Sequence, residues 1–589
     1  MITADVRASD RVDRVTAVPR SRADRVHLKG LLEAAFGGAV ALRLSPEGVA
    51  VPPSAAPRLL EIETEELDLT WSSEARTFAE NRRWAQAVHG DLVRQVHELR
   101  QGGASNARQI LADTGVDLRT LDDHQLVNVA AMTLPGSYGL CVFDEQGAGK
   151  TVTTIFAFDV LVARDEVDFM LIAAPKSMVA EWPEDFARFR RGLHRVEVLA
   201  GNRRAKLRTL RSNPDVVVTN FESVLSLEEE IRAVFRRYGR RGVLVVDESF
   251  YVKNLDALRT QAIRRVREYC GRAYVLCGTP APNSAHDIVE QVSLVDFGTA
   301  FSDVDVPKDR EEALPVVRDT LAERGAFVRH LKAEVLPDLP GKTINRTLVR
   351  MEPKQEELYL EVLDGFVRDL QETTDEEFRR ELASFLARRS ALLQLCSNPS
   401  GVSRAYDGVP AKLEALDSVL SELVEKRKEK VVVWCFYTAS LEAVLERFAR
   451  FKPVRYDGAV SDVEARRAAV SRFQNDDETM LFVANPAAAG AGLTLHRARF
   501  AVYESLSSQA AHYLQSLDRI HRRGQERPVE YVVLLCDGTL EVSEYERITQ
   551  KETAAQQLLG DEVTPPPTRV GLLEEAMSSL RRLSPASQG

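Results

Sequence analysis

The segment Cys141–Ala157 reads C-V-F-D-E-Q-G-A-G-K-T-V-T-T-I-F-A and indicates a strand, a glycine-containing loop and then a helix. In this order, backbone N–H groups freed by Gly147 and Gly149 can point at a β-phosphate, and Lys150 can reach the β- and γ-oxygens. The Thr151 hydroxyl, at the helix N-terminus, can hold Mg²⁺. The segment therefore predicts a binding site for a nucleoside triphosphate.

The phosphate loop, residues 144–151, departs from the general pattern G-x-x-x-x-G-K-[ST] at one position, where Asp144 replaces glycine. A chance G-x-G-K-T in a surface loop is the alternative interpretation, and the downstream segments argue against it. Ahead of the loop, Gln125 lies where a carboxamide could hydrogen-bond adenine N6 and N7.

Four apolar, β-branched segments follow the loop, and each ends in small or polar residues. Helical stretches separate them, and this alternation predicts a doubly wound parallel sheet that is apolar on both faces. Polar residues at the carboxyl ends of such strands form ligand sites. The segments lie within residues 168–182, 215–223, 242–250 and 273–280.

The third of these segments, G-V-L-V-V-D-E-S-F, delivers two carboxylates at the end of its strand. We expect Asp247 to hold Mg²⁺ through water and Glu248 to orient and deprotonate the attacking water. An Asp-Glu pair is also common on protein surfaces, but V-L-V-V and the phosphate loop favour the functional interpretation.

Composition limits the class of protein. A chain of 589 residues, 44% hydrophobic and 28% charged, predicts about three or four compact units. We expect no membrane span, because no run of 18 apolar residues occurs, and a cytoplasmic location, because the first residues lack a secretory h-region. The net charge of −10 argues mildly against a protein coated in nucleic acid, and six scattered cysteines predict buried thiols.

A second α/β unit is predicted from about Lys412, and it has no phosphate loop of its own. Its closing motif places Arg519 and Arg522 three residues apart on a predicted helix, so that they share one face. An exposed basic helix end is the alternative interpretation. Between the two units, residues 354–398 indicate long helices.

Three motifs beyond the phosphate loop carry a family resemblance. They are D-E-S-F-Y-V-K-N from Asp247, L-C-G-T-P-A-P-N from Leu276 and Y-L-Q-S-L-D-R-I-H-R-R-G-Q from Tyr513. Together they resemble the motif series of the Swi/Snf-type ATPases of helicase superfamily two, in the form of a compact bacterial or phage-like member. The resemblance runs from about residue 121 to 560.

The resemblance implies an α/β fold of two RecA-like lobes, each a doubly wound parallel sheet, with a helical insertion and a small N-terminal β-rich and helical module. The expected divisions are a flexible tail over 1–25, an accessory module over 26–115, lobe one over 116–345, a helical protrusion over 346–405, lobe two with a brace helix over 406–560, and a C-terminal tail over 561–589. A plain helical-hairpin spacer is the alternative for the protrusion.

The resemblance also implies ATP and Mg²⁺ as cofactors and double-stranded DNA as partner, within a larger defence, repair or transcription-linked assembly. Arg519 and Arg522 would act on the γ-phosphate as the lobes close. We expect the nucleotide site to include Gln125, Gln146, Gly147, Ala148, Gly149, Lys150, Thr151, Gly278, Thr279 and Gly492. DNA phosphates would contact Lys176, Ser177, Thr219 and Asn220 in lobe one and Thr438, Asn485 and Thr494 in lobe two.

Three functions remain open at this point. The first is an ATP-dependent double-stranded DNA translocase that remodels or displaces bound protein. The second is a strand-separating helicase within a repair, restriction or phage-defence system. The third is a scaffold switched by nucleotide binding, which the presence of Lys150, Glu248, Arg519 and Arg522 disfavours.

Overall fold

The structure is a computed structural model that describes residues 2–38, 40–62, 64–176, 178–278, 285–460, 463–488, 493–507, 510–557 and 569–583. The chain forms two compact units, of which the first extends to Val335 and the second begins at Leu336. No helix in the described part of the chain is long and apolar enough to cross a membrane. All six cysteines are buried free thiols, as predicted.

The N-terminal residues form a mixed sheet in the order β3-β4-β2-β1-β5. The strands are β1 Ile2–Ala8, β2 Val15–Pro19, β3 Arg43–Leu44, β4 Val49–Val51 and β5 Leu67–Trp71. The prediction of a flexible tail over residues 1–25 is therefore wrong. Apolar side chains at every second position of β1 are buried in the module core, whereas the intervening charged residues, which suggested a tail, face outward.

Three helices complete this module: α1 Arg25–Ala35, α2 Ala56–Leu59 and α3 Ser73–Leu111. Gly103 interrupts α3 with a non-helical backbone at φ 60°. Near the start of α3, the Arg82 guanidinium donates to the Glu268 carboxylate at 3.0 Å and lies 3.2 Å from the Phe78 ring centroid. Both charged groups are buried, so this ion pair fastens the module to the rest of the first unit.

We expect Arg82→Ala to lower the free energy of unfolding by about 3–5 kcal/mol, because it leaves the Glu268 carboxylate buried without its cation. Arg83→Ala is the matched control, since Arg83 is exposed, and it should change stability by at most about 0.5 kcal/mol. Urea unfolding followed by fluorescence measures both. Equal midpoints for the two variants would contradict the assignment.

The second sheet is wholly parallel, in the order β12-β6-β11-β10-β7-β9-β8. Its strands are β6 Gly139–Val142, β7 Phe169–Ala174, β8 Val196–Val198, β9 Val216–Asn220, β10 Gly242–Asp247, β11 Arg272–Leu276 and β12 Phe327–Val328. Its helices are α4 Asp123–Met132, α5 Lys150–Ala163, α6 Glu181–Phe189, α7 Arg203–Arg211, α8 Phe221–Ser226, α9 Glu228–Tyr238, α10 Leu258–Arg267, α11 His286–Asp296, α12 Arg310–Arg324 and α13 Lys332–Val335. The central strands are buried on both faces, which confirms the predicted parallel sheet.

The third sheet is also parallel and has the order β13-β18-β17-β14-β16-β15. Its strands are β13 Lys342–Val349, β14 Val431–Trp434, β15 Val454–Tyr456, β16 Leu481–Ala484, β17 Phe500–Tyr503 and β18 Val529–Cys536. The boundary predicted at residue 345 differs from the structure, because β13 pairs with β18 along its whole length. This strand is mostly exposed, so it lacks the apolar signal of the interior strands.

The remaining helices belong to the second unit. They are α14 Pro353–Glu372, α15 Asp375–Arg380, α16 Leu382–Ser397, α17 Ala411–Leu420, α18 Thr438–Arg447, α19 Val463–Asn475, α20 Ala510–Leu517, α21 Leu540–Gln557 and α22 Arg569–Leu583. Helices α14–α16 share one apolar cluster with Leu572 and Ala576 of α22. The part of the predicted C-terminal tail that the structure describes is thus a packed helix.

Candidate nucleotide-binding site

The phosphate loop follows β6 and ends in the first turn of α5, in the order of strand, loop and helix that the sequence predicted. Gly147 and Gly149 have φ values of +88° and +91°, which favour glycine because a Cβ is strained there. The Lys150 ammonium is buried and donates to the backbone oxygens of Asp144 at 2.8 Å and Glu145 at 3.4 Å. Thr151 follows as the second residue of the helix. The Lys150 ammonium therefore links the start of the loop to its end.

Asp144 is accommodated at the position of the pattern's first glycine because neighbouring side chains satisfy its carboxylate. It is fully buried, and Asn128 Nδ2 donates to its Oδ2 at 2.5 Å. The His330 ring nitrogen Nδ1 lies 2.9 Å from its Oδ1. The substitution of aspartate for the pattern's first glycine is thus accommodated by packing at the start of the loop, and the glycine-containing turn is intact.

Gln125 supports the loop from below. Its Oε1 accepts from the Asp122 backbone N–H at 3.0 Å, which caps α4, and its Nε2 donates to the Ala148 oxygen at 3.3 Å. A Cβ at Gly149 would lie 2.2 Å from that Nε2. Both the oxygen and the nitrogen of the Gln125 carboxamide therefore have hydrogen-bond partners within the protein. A contact between Gln125 and adenine stays a prediction.

Two carboxylates stand at the carboxyl end of β10, near the phosphate loop in the same sheet. Asp247 and Glu248 are both buried, and the Glu248 backbone N–H donates to Asp247 Oδ1 at 2.9 Å. Glu248 has a left-handed backbone, with φ 47° and ψ 55°. Such a conformation in a residue with a side chain costs of order 1 kcal/mol and is typical of functional sites. Its position immediately after the strand turns the glutamate back toward the phosphate loop.

Trp182 is a site residue that sequence reasoning missed. It is buried on α6, and its indole Nε1 donates to Asp247 Oδ2 at 3.0 Å. The tryptophan lies 65 residues before Asp247, at the end of the segment 168–182, and an aromatic residue near a strand usually signals core packing. Only the fold brings the indole to Asp247.

The carboxylates of this site suit a divalent cation. Burial, together with the nearby Glu248 charge, raises the pKa of Asp247 to about 7. A cation bound between the carboxylates and a triphosphate would offset that unfavourable burial of negative charge. Asp247 and the Thr151 hydroxyl offer the oxygen ligands that Mg²⁺ prefers, so these residues fit the predicted ion.

Gly278 follows β11 and lies against the phosphate loop, since a Cβ there would be 2.7 Å from Gln146 Cγ. Its predicted neighbour Thr279 lies outside the described residues, as do Gly492 and Ser177.

The lobe-one candidates for DNA contact differ in their exposure. Lys176 is exposed after β7, and Asn220 ends the adjacent strand β9, where its Oδ1 caps α8 by accepting from Ser223 N–H at 2.8 Å. Thr219 is fully buried in the same strand. The structure thus brings Lys176 and Asn220 to one sheet edge, and it places the Thr219 side chain in the interior.

In the second unit, Thr438 follows β14 and Asn485 follows the neighbouring strand β16. Thr438 is exposed and begins α18, whereas Asn485 Nδ2 donates to the Phe436 oxygen at 2.8 Å. Thr494 is half-buried, and its backbone oxygen accepts from Gln474 Nε2 at 2.6 Å. Of the three, Thr438 is the side chain that the structure exposes.

Arg519 and Arg522 do not lie on a helix, contrary to the prediction, because α20 ends at Leu517. They occupy the turn that follows, where the buried Gln525 carboxamide donates to the oxygens of Ala498 at 2.9 Å and His496 at 3.1 Å. Arg519 is buried, and Arg522 Nη1 donates to the Leu493 oxygen at 3.4 Å. Polar contacts of the turn, rather than helix periodicity, therefore determine the positions of Arg519 and Arg522.

Comparison with known proteins supports the family resemblance. The SNF2-related domain model matches residues 123–401, and the helicase conserved C-terminal domain model matches residues 411–524. The SWI/SNF-related matrix-associated actin-dependent regulator of chromatin subfamily A-like protein 1 of Xenopus tropicalis is 24% identical over 418 residues, covering 68% of this chain and 41% of that protein. The chain therefore spans less than half the length of that relative.

Two further proteins extend the comparison. The DNA repair and recombination protein RAD54-like of Gallus gallus is 24% identical over 503 residues, covering 74% of this chain and 66% of that protein. Among solved structures, the Sulfolobus solfataricus SWI2/SNF2 ATPase core in complex with dsDNA is 18% identical, with a TM-score of 0.35 over 76% of this chain and 98% of that chain.

Proposed function

Since the chain belongs to the Swi/Snf-type ATPases of helicase superfamily two, we propose that it hydrolyses ATP to move along double-stranded DNA and displace or remodel bound protein. The observation that carries this proposal is the arrangement at one edge of the second sheet. There Asp247 ends β10 and Glu248 follows it, and Lys150 lies at the end of the loop after β6. Lys176 follows β7 and Asn220 ends β9 in the same parallel sheet. The proposed phosphoryl-transfer site and the candidate polymer surface thus lie on one sheet.

The proposed chemistry assigns one role to each side chain. Bound ATP with Mg²⁺ supplies the γ-phosphoryl group that is transferred to water. Lys150 and the loop N–H groups bind the phosphates, and Thr151 and Asp247 would hold the ion. The Glu248 carboxylate orients the attacking water and accepts its proton.

In the second unit, we propose that Arg519 and Arg522 stabilise the negative charge that develops on the γ-phosphate during transfer. The turn supports the proposal for Arg522, because a guanidinium that already donates to a neighbouring carbonyl, here the Leu493 oxygen, loses less conformational freedom when it binds an anion. Lys176, Asn220 and Thr438 are proposed to contact DNA phosphates, so we expect little sequence specificity. We also propose that the chain acts within a larger defence, repair or transcription-linked protein assembly.

The test compares ATP turnover without polymer and with duplex DNA, single-stranded DNA or RNA, and measures triplex displacement and strand separation in parallel. Turnover stimulated by duplex DNA, with triplex displacement and without strand separation, supports the translocase. Strand separation would instead identify a helicase. No response of turnover to any polymer would favour the nucleotide-switched scaffold.

Trp182→Phe is expected to raise the Mg²⁺ concentration needed for half-maximal turnover and to lower turnover by about 10-fold. The variant keeps the aromatic ring but loses the N–H that orients Asp247, and a hydrogen bond to a charged group contributes about 1.5–3 kcal/mol. A Mg²⁺ titration of ATP turnover measures both effects. Trp84→Phe, which changes another tryptophan of the first unit, is the control, and equal titrations for the two variants would remove Trp182 from the site.

A further inference from the structure

The Gln146 side chain makes a hydrogen bond that is not needed for phosphate binding by the backbone N–H groups of the loop. Its side-chain Nε2 donates to Glu248 Oε1 at 2.6 Å, so a residue of the loop holds the carboxylate at the end of β10. The contact joins two motifs that are 102 residues apart in sequence. The Gln146 side chain therefore points at the proposed base.

We propose that Gln146 is a positioning residue for Glu248, which sets the orientation of the base for the attack of water on the γ-phosphate. The inference rests on the proposed ATP hydrolysis and assigns to the Gln146 side chain a role other than nucleotide binding.

The surroundings of Glu248 explain why such a donor is useful. The glutamate emerges from the strand with a left-handed backbone and is buried beside Asp247, whose negative charge repels its own. A neutral amide can donate to a carboxylate without adding a charge to the site, and it stabilises the ionised form that accepts a proton. It also fixes the rotation of the carboxylate plane, on which the alignment of the attacking water depends.

Gly278 supports the same assignment from the other side. A Cβ at this position would lie 2.7 Å from Gln146 Cγ, which is closer than real Cβ atoms approach a neighbour, and 3.0 Å from its Cδ, which is a tight contact. The absence of a side chain at Gly278 therefore leaves the space that the Gln146 side chain fills on its way to Glu248. Gly278→Ala should displace Gln146 without changing the amide itself.

The experiment uses the full chain and the variants Gln146→Met, Gly278→Ala and Glu248→Gln, with Gln261→Met as a matched control. Methionine has nearly the length of glutamine but donates no hydrogen bond, and Gln261 makes a comparable amide bond, to the Leu255 oxygen at 2.9 Å, outside the site. ATP turnover gives kcat and KM, binding of a fluorescent ATP analogue gives Kd, and single-turnover assays measure the slow variants. Thermal unfolding checks that each variant is folded.

We expect Gln146→Met to lower kcat by roughly 10- to 100-fold, with Kd for the analogue changed by at most about twofold. Gly278→Ala should lower kcat in the same direction, and Gln261→Met should match the unchanged chain. In the Glu248→Gln background, Gln146→Met should add less than about a twofold further loss, because residues that act as one unit are non-additive.

Three results would overturn the proposal: an unchanged kcat in Gln146→Met, a rise in Kd equal to the loss in kcat/KM, or a full multiplicative loss in the double variant. The first two would leave Gln146 as a loop residue or a nucleotide ligand. Failure of the proposed function is distinguishable, because the unchanged chain would then show no ATP turnover or none that responds to duplex DNA.

Discussion

Glu248→Gln should abolish most ATP turnover and leave nucleotide binding intact. Glutamine has nearly the same shape, but it cannot accept the proton of the attacking water, and a general base contributes roughly 10²- to 10⁴-fold to a rate. We therefore expect kcat to fall within that range, while Kd for ATP stays within about twofold, because no interaction with the phosphates is removed. Pre-steady-state turnover and equilibrium binding of a fluorescent ATP analogue measure the two quantities.

Glu222→Gln is the matched control for this prediction. Glu222 is an exposed carboxylate in the first turn of α8, within the same unit. The same chemical change at this position should leave kcat unaltered. If Glu248→Gln turned over ATP at a near-normal rate, the base would have to be another group, and the proposed role of Gln146 would fall with it.

Lys150→Met should weaken ATP binding by roughly 10- to 100-fold, because a charge-assisted hydrogen bond to phosphate contributes about 1.5–3 kcal/mol. Turnover should fall further than affinity, since the ammonium also meets charge that grows on the phosphoryl oxygens in the transition state. The buried position of Lys150, with its ammonium held by two carbonyls of the loop, means that solvent cannot replace it. Calorimetric titration with ATP and steady-state turnover test the two expectations.

Lys176→Met provides the control, since it removes a lysine at the same sheet edge but outside the phosphate loop. We expect this variant to bind ATP normally and to lose part of the stimulation by duplex DNA. Unchanged ATP affinity in Lys150→Met would refute the assignment of the loop to phosphate binding.

Much of the first unit could be predicted because its signals are local. Strands such as β7 and β10 are continuous apolar runs, and polar residues follow the last apolar residue of each run. A strand that is buried on both faces requires such a run. The loop glycines could also be recognised in the sequence, because their positive φ angles suit few other residues. The Lys150, Asp247 and Glu248 assignments follow from that local order.

The misses have the opposite character. In β1 the buried residues alternate with polar or charged ones over only seven positions, and β13 is mostly exposed, so neither strand carries a strong apolar run. Arg519 and Arg522 lie in a turn held by Gln525, and that turn depends on carbonyls from residues more than 20 positions away. Spacing within a segment contains no information about such contacts.

The amino-acid sequence by itself determined the two parallel α/β sheets, the phosphate loop and the pair of carboxylates, because backbone conformation and strand burial depend on nearby residues. Only the tertiary structure decided which side chains orient those carboxylates. Trp182 and Gln146 reach Asp247 and Glu248 because parallel strands bring their carboxyl ends to one edge of a sheet, and that proximity in space has no counterpart in sequence spacing.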